Sequence, residues 1–106
     1  MPENRVEKRV RKRLKLKYGP DGPQKLGFTD DVSEGGIFIR SPQVERPGTL
    51  LAVEIDVPGK GTVRFDGKVR WAKRVPVQLV QRGIKGGMGV HIERFNEGEE
   101  YFRELY

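Results

Sequence analysis

The stretch TVRFDGKVRW, residues 62–71, alternates apolar and charged side chains more regularly than any other part of the chain. One set of alternate positions holds Val63, Phe65, Val69 and Trp71. Successive side chains of a β-strand point to opposite faces, so this pattern predicts a strand with one face in a core and the other in water. Gly67 falls on the apolar face, which predicts a bend or a close approach of another backbone.

The same period of two recurs on both sides of this strand. It predicts five further strands, at residues 14–18, 26–32, 37–39, 51–57 and 88–92. Clusters of Gly and Pro separate most of these segments and predict turns. Residues 73–87 contain Pro76 and three glycines, and they predict a loop with a short extended piece at residues 77–80.

The last eleven residues change period. Asn96 is a good N-cap with Glu99 three residues later, and Phe102 and Leu105 share a helical face, so a short C-terminal helix is predicted. A chain of 106 residues suits one domain. Six antiparallel strands and one helix predict a mainly β fold, a six-stranded antiparallel β-barrel of the split-barrel type with a C-terminal α-helix.

Positive charge is concentrated at the N-terminus. Residues 1–25 hold nine Lys and Arg against three Asp and Glu, which accounts for the whole formal net charge of +6. We therefore assign residues 1–13 to a flexible basic arm and residues 14–106 to the folded domain. Such an arm predicts an anionic partner, although a solvated tail that aids solubility explains the charge equally well.

Several function classes are excluded by composition. Without Cys and with one His, the chain forms no disulfide, Cys nucleophile or multi-histidine metal centre. His91 lies between Val90 and Ile92, which predicts that it faces solvent on a strand. No nucleophile elbow or phosphate-binding loop occurs, so no enzyme is predicted. No apolar run reaches the roughly 18 residues of a membrane span, and no signal segment is present, so we expect a cytoplasmic protein.

Two local motifs could bind a ligand. Arg9 and Arg13 form an Arg-x-x-x-Arg spacing before the first long strand, and two guanidiniums at this spacing can converge on one polyanion. In the segment DVSEGG, residues 31–36, Asp31 and Ser33 share one face of an extended strand. A carboxylate accepts paired hydrogen bonds from the N–H edge of guanine, and Gly36 lets a flat ligand approach the backbone. By themselves, a basic tail and a plain β-turn also explain the two motifs.

Together and in this order, the motifs resemble the signature of the PilZ domain family of bacterial cyclic di-GMP receptors. That signature is Arg-x-x-x-Arg followed by Asp/Asn-x-Ser-x-x-Gly. Its positions here are Arg9, Arg13, Asp31, Ser33 and Gly36. The resemblance covers roughly residues 8–105 and implies a six-stranded barrel with a C-terminal helix, in agreement with the prediction from periodicity. It also implies that the arm closes over the bound ligand.

The resemblance further implies a role for each signature residue. Arg9 and Arg13 would bind phosphate and the Hoogsteen acceptors of guanine, the contact that Arg makes most readily with that base. Asp31 would accept from the guanine N–H edge. Ser33 and the backbone near Gly36 would complete a polar floor.

Three further residues, Lys8, Gly35 and Trp71, are secondary candidates. Lys8 stands where many family members have Arg, but a Lys lacks the planar donor fork. Trp71 would contact the ligand by analogy with some relatives, whereas its place in the alternation favours packing in the core.

The function implied by the resemblance is that of a receptor that binds cyclic di-GMP and no cofactor. It would signal to an unidentified protein partner through the conformation of the arm. A dimer linked by the ligand is a further possibility. One alternative is a small nucleic-acid-binding barrel that uses the arm and the basic residues 62–85, which the scarcity of exposed aromatics disfavours. Another is a PilZ-like adaptor without ligand binding, against which the intact motifs argue.

Overall fold

The computed structural model describes residues 8–106, which contain seven β-strands and two short α-helices. The strands are β1 (Arg9–Arg11), β2 (Lys15–Gly19), β3 (Lys25–Ser33), β4 (Gly36–Arg40), β5 (Leu50–Val57), β6 (Gly61–Lys73) and β7 (Gly87–Glu97). The helices are α1 (Val77–Val80), between β6 and β7, and α2 (Glu99–Arg103), after β7. Neither helix, nor any other part of residues 8–106, is long and apolar enough as a helix to cross a membrane.

Six strands close into an antiparallel barrel, as the periodicity predicts. The closed order is β2-β5-β6-β7-β4-β3, and β1 is an additional strand on the outer edge of β3. The sequence assigned residues 1–13 to a flexible arm. In the structure residues 9–11 of that arm are β1, and residues 1–7 lie outside the described residues.

The core lies inside the barrel and consists of the inward residues of each long strand. Leu16 and Tyr18 on β2, together with Phe65 on β6, are among its largest fully buried side chains. Phe102 of α2 is also fully buried and lies 6.2 Å from Phe65, ring centre to ring centre, in an edge-on arrangement. The helix thus closes one end of the barrel, and burial of these apolar side chains drives its docking.

At Gly67 the closest approach is made by a side chain, not by the backbone that the sequence predicted. A Cβ atom at this position would lie 2.5 Å from Cγ1 of Val90 on the neighbouring strand. The register between β6 and β7 also shifts between Asp66 and Gly67. The position therefore requires a residue without a side chain, because any Cβ would displace Val90 from the core.

The core position predicted for Trp71 is wrong. Val69 pairs with Val90 and Trp71 pairs with Gly89, so β6 holds one extra residue, Arg70, at a β-bulge. The extra residue shifts the alternation by one position beyond Val69. Trp71 therefore lies outside the barrel with 50% of its surface exposed.

The predicted start of the C-terminal helix is also wrong. Asn96 belongs to β7, where its side-chain amide donates to the Asp66 carboxylate over 3.2 Å. The helix begins after Gly98, whose φ of 75° turns the chain from strand to helix without the strain that a side chain would cause. The side-chain hydrogen bond to Asp66 on β6 outweighs the local preference of Asn for an N-cap.

The predicted extended piece at residues 77–80 is instead the short helix α1. Its C-terminus ends in a Schellman motif: the Gly83 N–H donates to the Val80 carbonyl and the Ile84 N–H donates to the Leu79 carbonyl. Gly83 has the φ of 87° that this motif requires. The β-branched residues of the segment favour a strand, but the capping at Gly83 decides the local structure.

Candidate functional site

A cavity of about 510 Å³ lies on the outer side of the barrel, where β1, β3, β4, β6 and β7 meet. It is lined by Arg9, Asp30, Asp31, Ser33, Gly35, Gly36, Ile37, Phe38, Arg70, Trp71, Gly89, Val90 and His91. The structure thus brings together most of the residues that the two motifs singled out, along with others that the sequence analysis did not assign to a site.

Pairing between β1 and β3 places the two motifs against each other. Arg9 lies opposite Ser33 and Arg11 lies opposite Asp31 in the antiparallel register. The Arg9 guanidinium donates to the Asp31 carboxylate over 3.3 Å, and the arginine is the more exposed of the two. The first residue of one motif is therefore within reach of the first residue of the other.

A second carboxylate lies beside Asp31 because β3 contains a bulge. Thr29 pairs with Ile39 and Asp31 pairs with Phe38, which leaves Asp30 as the extra residue. Asp30 accepts from Arg40 over 2.6 Å and lies 4.0 Å from Arg11. The charge of Asp30 is thus balanced by neighbouring arginines.

The floor of the cavity is largely backbone. The Ser33 hydroxyl is nearly buried and donates to the Gly36 carbonyl over 3.2 Å, which ties the turn between β3 and β4. The Gly35 carbonyl accepts from the Ile92 N–H over 2.8 Å. A Cβ at Gly36 would lie 2.2 Å from the Val90 carbonyl oxygen, so only glycine fits there.

Two stacked aromatic rings form one wall. The rings of Phe38 and Trp71 are 5.2 Å apart, centre to centre, and inclined by 26°. The bulge at Arg70 turns Trp71 to this side. Gly89 leaves room for the indole, since a Cβ there would lie 2.4 Å from its Nε1 atom. A flat aromatic surface beside polar groups suits a planar heterocycle.

Cationic and titratable groups complete the rim. Arg70, the bulge residue, is exposed and lines the cavity. His91 faces solvent, as predicted, and its position opposite Gly36 in the sheet brings it to the cavity as well. Among residues 8–106, the rim therefore carries two guanidiniums, from Arg9 and Arg70, and one imidazole, from His91.

Two predicted ligand residues lie elsewhere. The Arg13 guanidinium covers the ring of Phe28, 4.2 Å from its centre, and Arg13 does not line the cavity. Lys8 is exposed and does not line it either.

The sequence analysis did not assign Phe38, Arg70 or His91 to the site. One signal pointed to Phe38: it lies between Ile37 and Ile39, so its aromatic ring must face away from the core. Arg70 and His91 gave no such signal, because charged residues on the wet face of a strand are ordinary.

Comparisons with known proteins agree with this architecture. The model of the PilZ domain matches residues 3–105. Among solved structures, the chain is similar to that of the Bacillus subtilis inhibitor of motility, MotI/DgrA, with a TM-score of 0.71 and 16% sequence identity. The alignment covers 98% of this chain and 48% of that one, so the chain spans about half the length of its structural neighbour. No curated protein matches the sequence.

Proposed function

The chain belongs to the PilZ domain family, and from this premise we propose that it is a receptor module that binds cyclic di-GMP in the cavity beside β1. One observation carries the proposal. Four signature residues, Arg9, Asp31, Ser33 and Gly36, line the same cavity as a stacked aromatic pair. Phosphate, guanine edge and guanine face would each meet a complementary group there.

The charges of the cavity match the charges of the ligand. Cyclic di-GMP carries two phosphates and two guanines, so it needs cations and a carboxylate within one site. Arg9 and Arg70 supply the cations, and each offers a planar fork for phosphate or for the O6/N7 edge of guanine. Asp31 accepts from the guanine N1–H and N2–H, an edge that adenine does not present.

Ligand binding would exchange partners within the site. In the free protein the Arg9 guanidinium donates to Asp31. On binding, Arg9 would donate to a phosphate and Asp31 would accept from a guanine. Each residue would thus replace its ion-pair partner with a group of the ligand. The ion pair therefore holds both groups near the positions at which they would bind the ligand.

Arg13 would join the site by a movement of the arm. Its guanidinium lies over Phe28 in the structure, and such an exposed cation–π contact stabilises by only about 0.5–1 kcal/mol. A dianionic ligand offers stronger charge-assisted bonds. The ligand shifts the arm only as far as it prefers the closed arrangement, and the repositioned arm would be the surface that a protein partner recognises.

The primary test is isothermal titration of the protein with cyclic di-GMP, with cyclic di-AMP and GTP as controls. The chain has a single Trp, and Trp71 lies half-exposed in the cavity, so its fluorescence reports binding independently. We expect saturable heat and quenching with cyclic di-GMP and much weaker binding of both controls. Folded protein that gives neither signal would overturn the proposal.

Hydrogen exchange over residues 8–16 separates binding from signalling. We expect ligand to increase protection of this segment. If the ligand quenches Trp71 fluorescence but leaves hydrogen exchange over residues 8–16 unchanged, the protein binds the ligand without a movement of the arm.

A further inference from the structure

The loop that joins β6 to β7, residues 74–86, presents an apolar tip to solvent. Val77, Val80 and Ile84 are 68%, 46% and 40% exposed. None of the four residues of α1, which lies within this loop, is buried. Exposed aliphatic side chains scattered over a surface need no explanation, but three within eight residues at the end of a hairpin form a patch.

Backbone hydrogen bonds within the loop hold this tip in a defined conformation. The Val80 N–H donates to the Pro76 carbonyl and the Gln81 N–H to the Val77 carbonyl, which forms one helical turn. The Schellman motif at Gly83 then reverses the chain. Val75, at the base of the loop, is buried, and its side chain lies close to Gly86 on the returning side of the loop. The apolar side chains therefore face outward on an ordered scaffold.

The charged residues of the loop and of the sequence next to it are all basic, and Glu45, from the segment after β4, lines a cavity with Arg74. Lys73 and Arg74 precede it, and Arg82 and Lys85 lie within or after it. All four side chains belong to exposed residues. No Asp or Glu occurs between Asp66 and Glu93, so no carboxylate in this stretch of sequence offsets them.

We propose that the 74–86 loop docks on an anionic lipid bilayer. Its aliphatic tip would enter the boundary between headgroups and acyl chains, while the four cations contact lipid phosphates. A projecting tip flanked by cations on both sides suits a soft, flat and uniformly anionic surface. A protein partner would require complementary pockets for three separate aliphatic side chains. The loop contains no residue of the signature motifs, so its docking on lipid does not require cyclic di-GMP.

Cosedimentation of the whole protein with lipid vesicles tests this proposal. Vesicles containing phosphatidylglycerol are compared with vesicles of phosphatidylcholine alone, at low and at raised salt. We expect binding to the anionic vesicles only, weakened by salt because the interaction is screened. Equal binding to both vesicle types, or no binding to either, would overturn the proposal, and the latter would point to an acidic protein as the occupant.

The variant V77S/V80S/I84S separates the loop from the basic arm, which also attracts anions. It keeps every charge, and we expect it to lose at least tenfold in vesicle affinity. The control Leu26→Ser removes an equally exposed aliphatic side chain, at 60% exposure, from another face of the barrel and should bind as wild type does. Wild-type binding by the triple variant would overturn the proposal.

A second pair of variants tests the role of charge. The vesicle affinity of R74Q/R82Q, which lacks two loop cations, is compared with that of K60Q/R103Q, which lacks two cations elsewhere. Lys60 precedes the first residue of β6, at the opposite end of that strand from the loop, and Arg103 lies in α2. Loss of two loop cations should weaken binding by about fivefold for each, whereas the control pair should have a much smaller effect. Equal losses for the two pairs would overturn the placement of the contact in the loop.

Discussion

Arg9 and Asp31, 22 residues apart in sequence, form an ion pair of 3.3 Å between Nη1 and Oδ1 at the edge of the cavity. Arg9 belongs to the additional strand β1, so the pair exists only because β1 lies against β3 in this register. Both residues are accessible enough to exchange this partner for a ligand. The ion pair contributes little to the stability of the fold, as other exposed pairs do. Substitutions of Arg9 or Asp31 should therefore change ligand binding more than the free energy of unfolding.

Replacing either signature arginine should weaken ligand binding without unfolding the protein. We expect Arg9→Ala and Arg13→Ala each to reduce cyclic di-GMP affinity at least tenfold, since a charge-assisted hydrogen bond contributes about 1.5–3 kcal/mol. The control Arg94→Ala removes an exposed arginine that pairs with Asp66. Calorimetric titration measures all three. Wild-type affinity in Arg13→Ala alone would restrict the arginine contact to Arg9.

Asp31 should determine the choice of base. Asp31→Ala is expected to lower affinity for cyclic di-GMP and to leave a weak, salt-sensitive attraction for phosphate, because the arginines remain. The ratio of cyclic di-GMP to cyclic di-AMP affinity should therefore fall towards one. An unchanged ratio in the variant, or equal binding of both ligands by the wild type, would contradict this role.

Trp71 should contribute by stacking. Trp71→Ala is expected to weaken binding by roughly fivefold to a hundredfold, since stacking on an aromatic side chain is worth about 1–3 kcal/mol per base. Trp71→Phe should retain most of the affinity. Thermal unfolding should change little, because the indole lies outside the barrel core. A large loss of melting temperature in Trp71→Phe would show that the indole is structural.

Tyr18 provides a test of stability against pH. It is fully buried; its hydroxyl donates to the Gln43 carbonyl and lies 2.6 Å from Ser41 Oγ. Burial raises the pKa of Tyr18 above 10.0. The unfolded chain then ionises at lower pH than the folded one, so this contribution is complete below about pH 10 and declines as pH rises further.

Urea unfolding of wild type and Tyr18→Phe checks this dependence. Near neutral pH we expect the variant to be less stable by about 1–2 kcal/mol, the contribution of the lost hydrogen bond together with the unpaired carbonyl. Above about pH 10 the difference should narrow, because only the wild type contains the phenol that ionises on unfolding. A difference that stays constant across this range would contradict the argument.

Periodicity alone predicted the six long strands and the barrel class. Leu16, Tyr18 and Phe65 are buried as their alternation indicates, since a strand with one wet face must place its apolar side chains inward. The resemblance carried by the motifs also predicted a shared site for Arg9, Arg13, Asp31, Ser33 and Gly36. All of these except Arg13 line one cavity. The identity of the ligand at that cavity stays a prediction.

Bulges explain most of what the sequence did not reveal. One extra residue, Arg70 in β6 or Asp30 in β3, changes which side of the sheet the following residues face. The local alternation remains intact on both sides, so no pattern marks the change. Trp71 was consequently predicted in the core, and the second carboxylate beside Asp31 was not assigned to the site. The start of α2 at Gly98 and the end of α1 at Gly83 were likewise not predicted from the sequence.

The backbone floor of the cavity limits how the site can diverge. Gly36 and Gly89 have no room for a side chain, since a Cβ would lie 2.2 Å from the Val90 carbonyl oxygen in one case and 2.4 Å from the indole nitrogen in the other. Natural variation can therefore alter ligand preference only through the side chains that line the cavity, such as Asp31 and, on the rim, Arg9, Arg70 and His91. Relatives that bind a different ligand would be expected to keep both glycines and to carry substitutions among the residues that line the cavity.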